Sequence, residues 1–329
     1  YNSLIANELK IVPTFSTEIT IHGAGIATAI RLATLAVFTG VADFVLCTTG
    51  DTGNIWITDK IRTNAFTEAD HQFEAPYGPL TPSLYAQIAQ RHMYEFGTTS
   101  AQLAKVAVEH RKWALKHPYA GMRDRGLITI DDVLNSKMIA SPLHLLDCAP
   151  RCKIGTAGAF IVASAEVAER YADKPIWILG FGEASTHEWI SDRMGLAGIP
   201  PAENGPNLTS TGAEIAARDA YEIAGVGPKD IDLIELTAPF THCVVVLMED
   251  FGFCQKGEGG KFIENGGIDF DGGLPVNTNG GLLSFGQIGP GCTMDIIMEG
   301  LKQLTNEPPG KQVEWTAIAL IHAHVGIIA

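Results

Sequence analysis

Histidines at two points of the chain could move protons near neutral pH. His22 directly precedes a Gly-Ala-Gly turn and an apolar helix, and His322 and His324 lie close together near the C-terminal end. Imidazole titrates in the range that a general acid or base needs, and backbone N–H groups at the start of a helix favour an anion such as an alkoxide. These histidines are candidates for acid–base chemistry, although histidines at strand ends often only satisfy hydrogen bonds of the fold.

A glycine-rich segment at residues 277–291 is the second feature with chemical potential. It reads Asn-Thr-Asn-Gly-Gly-Leu-Leu-Ser-Phe-Gly-Gln-Ile-Gly-Pro-Gly. Gln287 within it cannot act as a base near neutral pH, but its amide can donate a hydrogen bond to an oxyanion. The segment therefore predicts oxyanion binding more readily than proton transfer.

The composition limits the classes of function. A chain of 329 residues that is 46% hydrophobic can bury a substantial core. Only 18% of the residues are charged and the net charge is -14, so neither nucleic acid nor an anionic membrane is an expected partner. No apolar run reaches the length of a membrane span. The six scattered cysteines favour a reducing compartment, and we expect the cytoplasm.

The elements that must position these residues follow the pattern of an α/β protein. Apolar runs predict a βαβ unit at residues 17–48 with buried, parallel strands. From residue 51 to 147 the character changes to two helices among loops, which indicates an excursion from the sheet, and the glycine-rich residues 257–273 are expected to form a covering loop. The predicted strands are 17–21, 44–48, 159–164, 176–179, 231–236 and 317–322, and the predicted helices are 26–38, 84–96, 101–115, 212–223 and 293–304.

Several segments together resemble the thiolase superfamily. Residues 277–291, followed by a helix ending in Gln303-Leu304, resemble the thiolase signature around the Gly-His-Pro motif. The stretch Glu-Leu-Thr-Ala-Pro-Phe-Thr at 235–241, with Phe-Gly-Phe-Cys at 251–254, resembles the His-Asp-Ala-Phe type motif of the lipid-transfer-protein branch. Residues 40–46, 141–143 and 155–164 resemble the strands that follow the nucleophilic cysteine. The resemblance covers nearly the whole chain in the family's order.

The resemblance implies a five-layered αβαβα fold of two similar halves, residues 1–164 and 165–329, with the excursion at about 51–147 in the first. Such proteins are usually dimeric and bind acyl-CoA at the mouth of a shared active site. By this comparison Tyr1 falls after the family's first strand and helix. The start of the first half is therefore expected to be trimmed or divergent.

The positions that carry thiolase chemistry are changed. Gly23 stands where the family has its nucleophilic cysteine, and Thr237 and Gln287 stand where it has histidines. His324 falls close to the place of the second catalytic cysteine, and the missing side chain at Gly23 is expected to leave room for a bulky acyl group. The expected catalytic residues are His22, His322, His324 and Gln287, and the expected substrate-binding residues are Gly23, Thr237, Asn277, Ser284, Gly286 and Gly326.

Three functions fit these changes. A thiolase-like aldolase needs a base for a β-hydroxyl group and donors for a thioester enolate, but no nucleophile. The resemblance also implies a small OB-fold or zinc-ribbon partner for such an enzyme, and it implies tyrosines in the second half, whereas no tyrosine follows Tyr221. The alternatives are a Claisen-type acyltransferase with rearranged residues and a non-catalytic subunit that binds acyl-CoA. In each case the CoA thioester is the expected substrate or ligand, and no bound cofactor or metal is expected.

Overall fold

The computed structural model describes residues 2–51, 70–150, 155–186, 190, 207–287 and 291–324. The side chains of His22 and Asp51 lie outside this description, as do Gly326 and Cys152. Helices cover more of the described chain than strands do. The α-helices are α1 Asn2–Leu9, α2 Gly25–Phe38, α3 Thr81–Phe96, α4 Ser100–Ala114, α5 Ile130–Leu134, α6 Ala165–Tyr171, α7 Ala213–Ala224, α8 Thr241–Asp250, α9 Gly259–Glu264, α10 Gly281–Ser284 and α11 Cys292–Thr305.

Six strands form three two-stranded pairings in the described ranges. The strands are β1 Phe44–Asp51, β2 Met138–Ala140, β3 Leu143–His144, β4 Thr156–Ala163, β5 Leu233–Leu236 and β6 Ala319–His322. Strand β1 pairs with β4 and β2 with β3, both antiparallel, whereas β5 and β6 are parallel with Leu236 opposite His322. None of the helices described is long and apolar enough to cross a membrane.

The predicted parallel βαβ unit is wrong. Residues 17–21 are not a strand, and β1 instead pairs antiparallel with β4, placing Phe44 opposite Ala163. Residues 176–179 are not a strand either. Both segments have the composition of a strand, but a strand also needs a hydrogen-bonded neighbour, and neither segment has one among the described strands.

The longer helices agree with the predictions because their ends carry local signals. Helix α4 begins after Thr99, whose side-chain oxygen accepts a hydrogen bond from the backbone N–H of Gln102, as a helix-starting threonine does. Helix α3 ends at Gly97 and α7 at Gly225, both in the left-handed conformation that glycine adopts without strain. The predicted covering loop at 257–273 instead contains α9, which packs against α4.

Two apolar clusters position the site. The larger one surrounds α8, in which every residue is buried, and the adjacent strand β5, which is buried along its whole length. The second joins Ile26 and Ala33 of α2 to Cys47 of β1 and to Met294 and Ile297 of α11. This second cluster brings the start of α2, close to Gly23, against the start of α11 in the C-terminal part of the chain.

Candidate active site

The turn at His22–Ala24 is the first component of the site. It is a short 3₁₀ helix directly before α2. The carbonyl oxygen of Gly23 accepts a hydrogen bond from Thr293 Oγ1 at 2.6 Å. A Cβ atom added to Gly23 would lie only 2.7 Å from the carbonyl oxygen of His324. The expectation that the missing side chain leaves room for a bulky acyl group is therefore wrong, because the backbone of His324 occupies that space.

Thr237 follows β5 and extends its pairing with β6 by one residue. Its backbone N–H donates to the carbonyl oxygen of His322 at 3.1 Å. Its hydroxyl lies 3.4 Å from Thr293 Oγ1, which in turn binds Gly23. Thr237 and Thr293 thus connect the ends of β5 and β6 to the turn before α2. Four residues form one continuous hydrogen-bonded group: His322, Thr237, Thr293 and Gly23.

His324 is buried beside an aromatic residue from the excursion. Its Nε2 atom lies 3.0 Å from the hydroxyl of Tyr85, a residue of α3. The Tyr85 ring packs on the Phe240 ring with centroids 4.5 Å apart. The His324 ring stacks on that of His322 at 5.7 Å. Burial, with a smaller contribution from His324, lowers the pKa of His322 to about 3, so His322 is neutral near pH 7.

His242 is a further histidine of this region, and it is not among the residues predicted from the sequence. It lies in the first turn of α8, completely buried, with its ring centroid 5.6 Å from that of Tyr85. Burial first, and then the charges of His92 and His324, lower its pKa to about 3. In the sequence, the one indication that His242 belongs to the site is its position directly after the motif at 235–241. The sequence gives no such indication for Tyr85, because 239 positions separate it from His324.

The glycine-rich segment is held to the end of β5 by Asn277. Its side-chain oxygen accepts from the backbone N–H of Leu236 at 2.7 Å, and its backbone N–H donates to Ile234. Asn277 has a positive φ of 54°, a conformation that asparagine tolerates better than most residues. Asn277 therefore holds the glycine-rich segment beside Thr237, and this contribution of Asn277 to the site is structural.

The other predicted residues of this segment are less closely tied to the group around Gly23. The Ser284 hydroxyl accepts a hydrogen bond from Arg111 Nε at 3.2 Å, on the side of the loop that faces α4. Gly286 has a φ of 125°, and the Gln287 backbone N–H donates to Pro150. In the parts of the chain that the structure covers, neither Ser284 nor Gln287 hydrogen-bonds to Thr237, Thr293 or His324. Their roles stay predictions, as do those of Gly326 and the His22 side chain.

A buried acidic network lies under the end of β5. Glu235 is fully buried, and its carboxylate accepts hydrogen bonds from the backbone N–H of Thr278 at 2.9 Å and from the Thr278 hydroxyl at 2.7 Å. The same hydroxyl lies 3.0 Å from Glu299 Oε1. Burial, and next the charge of Glu299, raise the pKa of Glu235 well above its usual value. The raised pKa favours the protonated form of Glu235, and the hydrogen bonds tie β5, which ends directly before Thr237, to the glycine-rich segment.

The described cysteines are not activated nucleophiles. Burial raises the pKa of the Cys47 thiol to about 11, and burial is also the main reason that the pKa values of Cys148, Cys254 and Cys292 rise to about 12. The pKa of Cys243, which is completely buried, is raised as well. Because the thiolate is the reactive form, these five thiols are unreactive near neutral pH.

Known proteins are similar to this chain along nearly its whole length. The family model of the thiolase C-terminal domain matches residues 201–329. The chain is 36% identical to the acetyl-CoA acetyltransferase of Methanothermobacter thermautotrophicus, over 98% of this chain and 79% of that protein. It is 33% identical to the 17-hydroxy-3-oxo-4-pregnene-20-carboxyl-CoA lyase of Mycobacterium tuberculosis, over 88% of this chain and 74% of that protein.

A solved structure, the Ltp2-ChsH2(DUF35) aldolase, superposes with a TM-score of 0.82 at 27% identity, covering 99% of this chain and 81% of that one. The predicted thiolase-like α/β fold and the predicted relationship to thiolase-like enzymes are confirmed by these matches. The division into halves at residues 164 and 165 stays a prediction. The chain belongs to the thiolase superfamily, in the lipid-transfer-protein branch that includes thiolase-like aldolases.

Proposed function

We propose that this protein cleaves the bond between the α and β carbons of a β-hydroxyacyl-CoA by a retro-aldol reaction. The observation that carries the proposal is the geometry at Gly23. Gly23, which the resemblance places at the position of the thiolase nucleophile, has no side chain, and an added Cβ would lie only 2.7 Å from the His324 carbonyl oxygen. Acyl transfer through a cysteine at this position would therefore require the backbone of His324 to move.

The reaction needs only groups that exchange protons and stabilise an oxyanion. A base removes the proton of the β-hydroxyl group while the bond between the α and β carbons breaks. Its electrons pass to the thioester as an enolate, and the β carbon leaves as an aldehyde or ketone. A proton returned to the α carbon then yields the shortened acyl-CoA. No cofactor is required, and the CoA thioester is the substrate.

His324 is the best-placed base in the described part of the site. It lies against Gly23 through its backbone and is held at its ring by Tyr85. Its neighbours His322 and His242 have pKa values lowered to about 3, so both are too weakly basic to serve as the base near pH 7. Within the proposal, the His22 side chain is a second candidate base, and the amide of Gln287 with the backbone of Gly286 and Gly326 donates to the enolate oxygen.

The assembly is also part of the proposal. The aldolase that superposes on this chain is a complex with ChsH2(DUF35). We propose that this chain forms a homodimer and works with a small OB-fold or zinc-ribbon protein. The proposed compartment is the cytoplasm, which the scattered cysteines favour.

The decisive experiment incubates the purified protein with β-hydroxyacyl-CoA substrates, with and without a co-encoded OB-fold partner, and follows both products by mass spectrometry. We expect an aldehyde or ketone together with a shortened acyl-CoA. The variant His324→Gln is expected to lose this turnover, and His71→Ala, which changes an exposed histidine outside the site, is expected to keep it.

Two outcomes contradict the proposal. Cleavage of β-ketoacyl-CoA that consumes free CoA identifies an acyltransferase, the activity that the name of the Methanothermobacter relative gives. Binding of acyl-CoA without turnover, in every combination of substrate and partner, identifies a non-catalytic subunit. Unchanged cleavage by His324→Gln leaves the reaction in place but assigns the base elsewhere.

A further inference from the structure

Tyr85 brings a buried phenol to the site from a part of the chain far from the family's motifs. It belongs to α3, and only 2% of its surface is exposed. Its ring is held between the rings of Phe240, at 4.5 Å, and His242, at 5.6 Å. The residues that hold Tyr85 thus come from the segment that follows β5, directly after Thr237.

The Tyr85 hydroxyl has a specific polar neighbour. It lies 3.0 Å from His324 Nε2, and His324 is itself only 7% exposed. If the Tyr85 hydroxyl only filled space, phenylalanine would serve equally well at this position, because it provides the same ring. A hydrogen bond to one nitrogen of an imidazole, in contrast, fixes the plane of the ring and the nitrogen that faces the partner.

His324 is restrained on its other sides as well. Its ring stacks on that of His322 at an interplanar angle of 30°. Its carbonyl oxygen lies against Gly23, where no side chain intervenes. The ring stack and the backbone contact fix where the ring lies, and the phenol adds the contact that fixes its rotation about the side-chain bonds.

We infer that Tyr85 is a positioning residue for His324, holding the imidazole at Nε2 in the orientation that proton transfer requires. This inference rests on the proposed function for its catalytic meaning, and on the hydrogen bond alone for its structural meaning. It gives the excursion at about 51–147 a part in the site, because the excursion supplies a phenol that positions His324, although the second half has no tyrosine after Tyr221.

Steady-state kinetics test the catalytic meaning. Tyr85→Phe removes the hydroxyl and keeps the ring between Phe240 and His242, so the fold is expected to be retained. We expect kcat to fall by about 10–100-fold, as it does when a group that orients a metal-bound histidine is lost, while KM changes less than about twofold. Tyr221→Phe is the matched control, because it also removes a hydroxyl that donates a hydrogen bond, here to the Phe251 carbonyl at 3.2 Å, and its kcat should stay unchanged.

The double variant Tyr85→Phe/His324→Gln separates positioning from an independent role. If the phenol acts through His324, the double variant is no slower than His324→Gln alone. An additive loss of activity, or wild-type kcat in Tyr85→Phe, overturns the inference.

Nitrogen-15 NMR of the histidine side chains tests the structural meaning without turnover. The His324 signals, assigned as those lost in His324→Gln, should shift at Nε2 in Tyr85→Phe and stay in place in Tyr221→Phe. Unchanged His324 signals in Tyr85→Phe contradict the inference whatever the activity. If the wild-type protein cleaves no β-hydroxyacyl-CoA but the Nε2 signal shifts, the proposed function fails and the positioning of His324 stands.

Discussion

A side chain at Gly23 should destabilise the protein, and returning a cysteine there should not restore a thiolase. The Cβ of alanine or cysteine would lie 2.7 Å from the His324 carbonyl oxygen, closer than such atoms pack. The neighbouring atom is backbone and cannot rotate away. Either the loop after β6 moves or the turn at His22–Ala24 moves, and movement of that turn strains the hydrogen bond from Thr293 to the Gly23 carbonyl oxygen.

The magnitude follows from comparison with a neighbouring glycine. Added atoms in a packed site cost about 1–3 kcal/mol, and replacing glycine by alanine also stabilises the folded state by about 0.4–1 kcal/mol through the unfolded chain. Gly25 starts α2, and the nearest atom to a Cβ there is the Ile19 carbonyl oxygen at 3.7 Å, an ordinary contact. The unfolded-state gain is common to both positions, so Gly23→Ala should be about 1–3 kcal/mol less stable than Gly25→Ala.

Urea unfolding of the wild-type protein, Gly23→Ala and Gly25→Ala measures this difference. Gly23→Cys, incubated with acetyl-CoA and analysed by peptide mass spectrometry, should show no acetyl group on the new cysteine. Equal stability of Gly23→Ala and Gly25→Ala, or acetylation of Gly23→Cys, contradicts the prediction, because either result means that the site accommodates the side chain without resistance.

Three further predictions concern the buried polar groups. Asn277→Ala should lower the free energy of unfolding by about 2–4 kcal/mol, because it leaves the Leu236 N–H without its acceptor and puts alanine at a positive φ; Asn277→Asp keeps the acceptor and should lose less in the same urea titration. The pKa of Glu235 is raised above its usual 4.5, so the contribution of this carboxyl group to stability is full below pH 4.5 and is lost as pH rises. The stability of Glu235→Gln relative to wild type should therefore increase with pH in urea titrations, and a constant difference contradicts this. Burial lowers the pKa of His110 from 6.5 to about 3. Below pH 6.5 the unfolded chain gains a proton that the folded chain does not, so the free energy of unfolding falls as pH drops. For each pH unit, His110→Phe should lose about 1.4 kcal/mol less of this free energy than wild type, and equal acid sensitivity of wild type and variant excludes this cause.

The helices were predictable because their signals are local. The Thr99 side chain that starts α4 and the glycine Gly225 that ends α7 act within a few residues of the helices they bound. Strand pairing was not predictable in the same way. The partner of Phe44 is Ala163, and whether an apolar run such as 17–21 becomes a strand depends on which distant segment lies beside it.

The same distinction applies to the site. The changed positions Gly23 and Thr237 and the histidines at 322 and 324 follow from motifs, and the structure brings them together. Tyr85 and His242 could not be selected, since a buried tyrosine in an amphipathic helix reads as core. The space at Gly23 was also misjudged, because a sequence shows which side chain is missing and does not show which backbone fills its place.

The parallel register of β5 and β6 sets the position of both histidines near the C-terminal end. Leu236 lies opposite His322, and the ladder continues through the Thr237 N–H to the His322 carbonyl oxygen. A slip of one residue in β6 would turn His322 to the opposite face of the sheet and carry His324 away from Tyr85. A single-residue insertion or deletion within β6 itself should therefore be far more harmful than a substitution there, because it shifts every later residue, His324 included, by one position relative to β5.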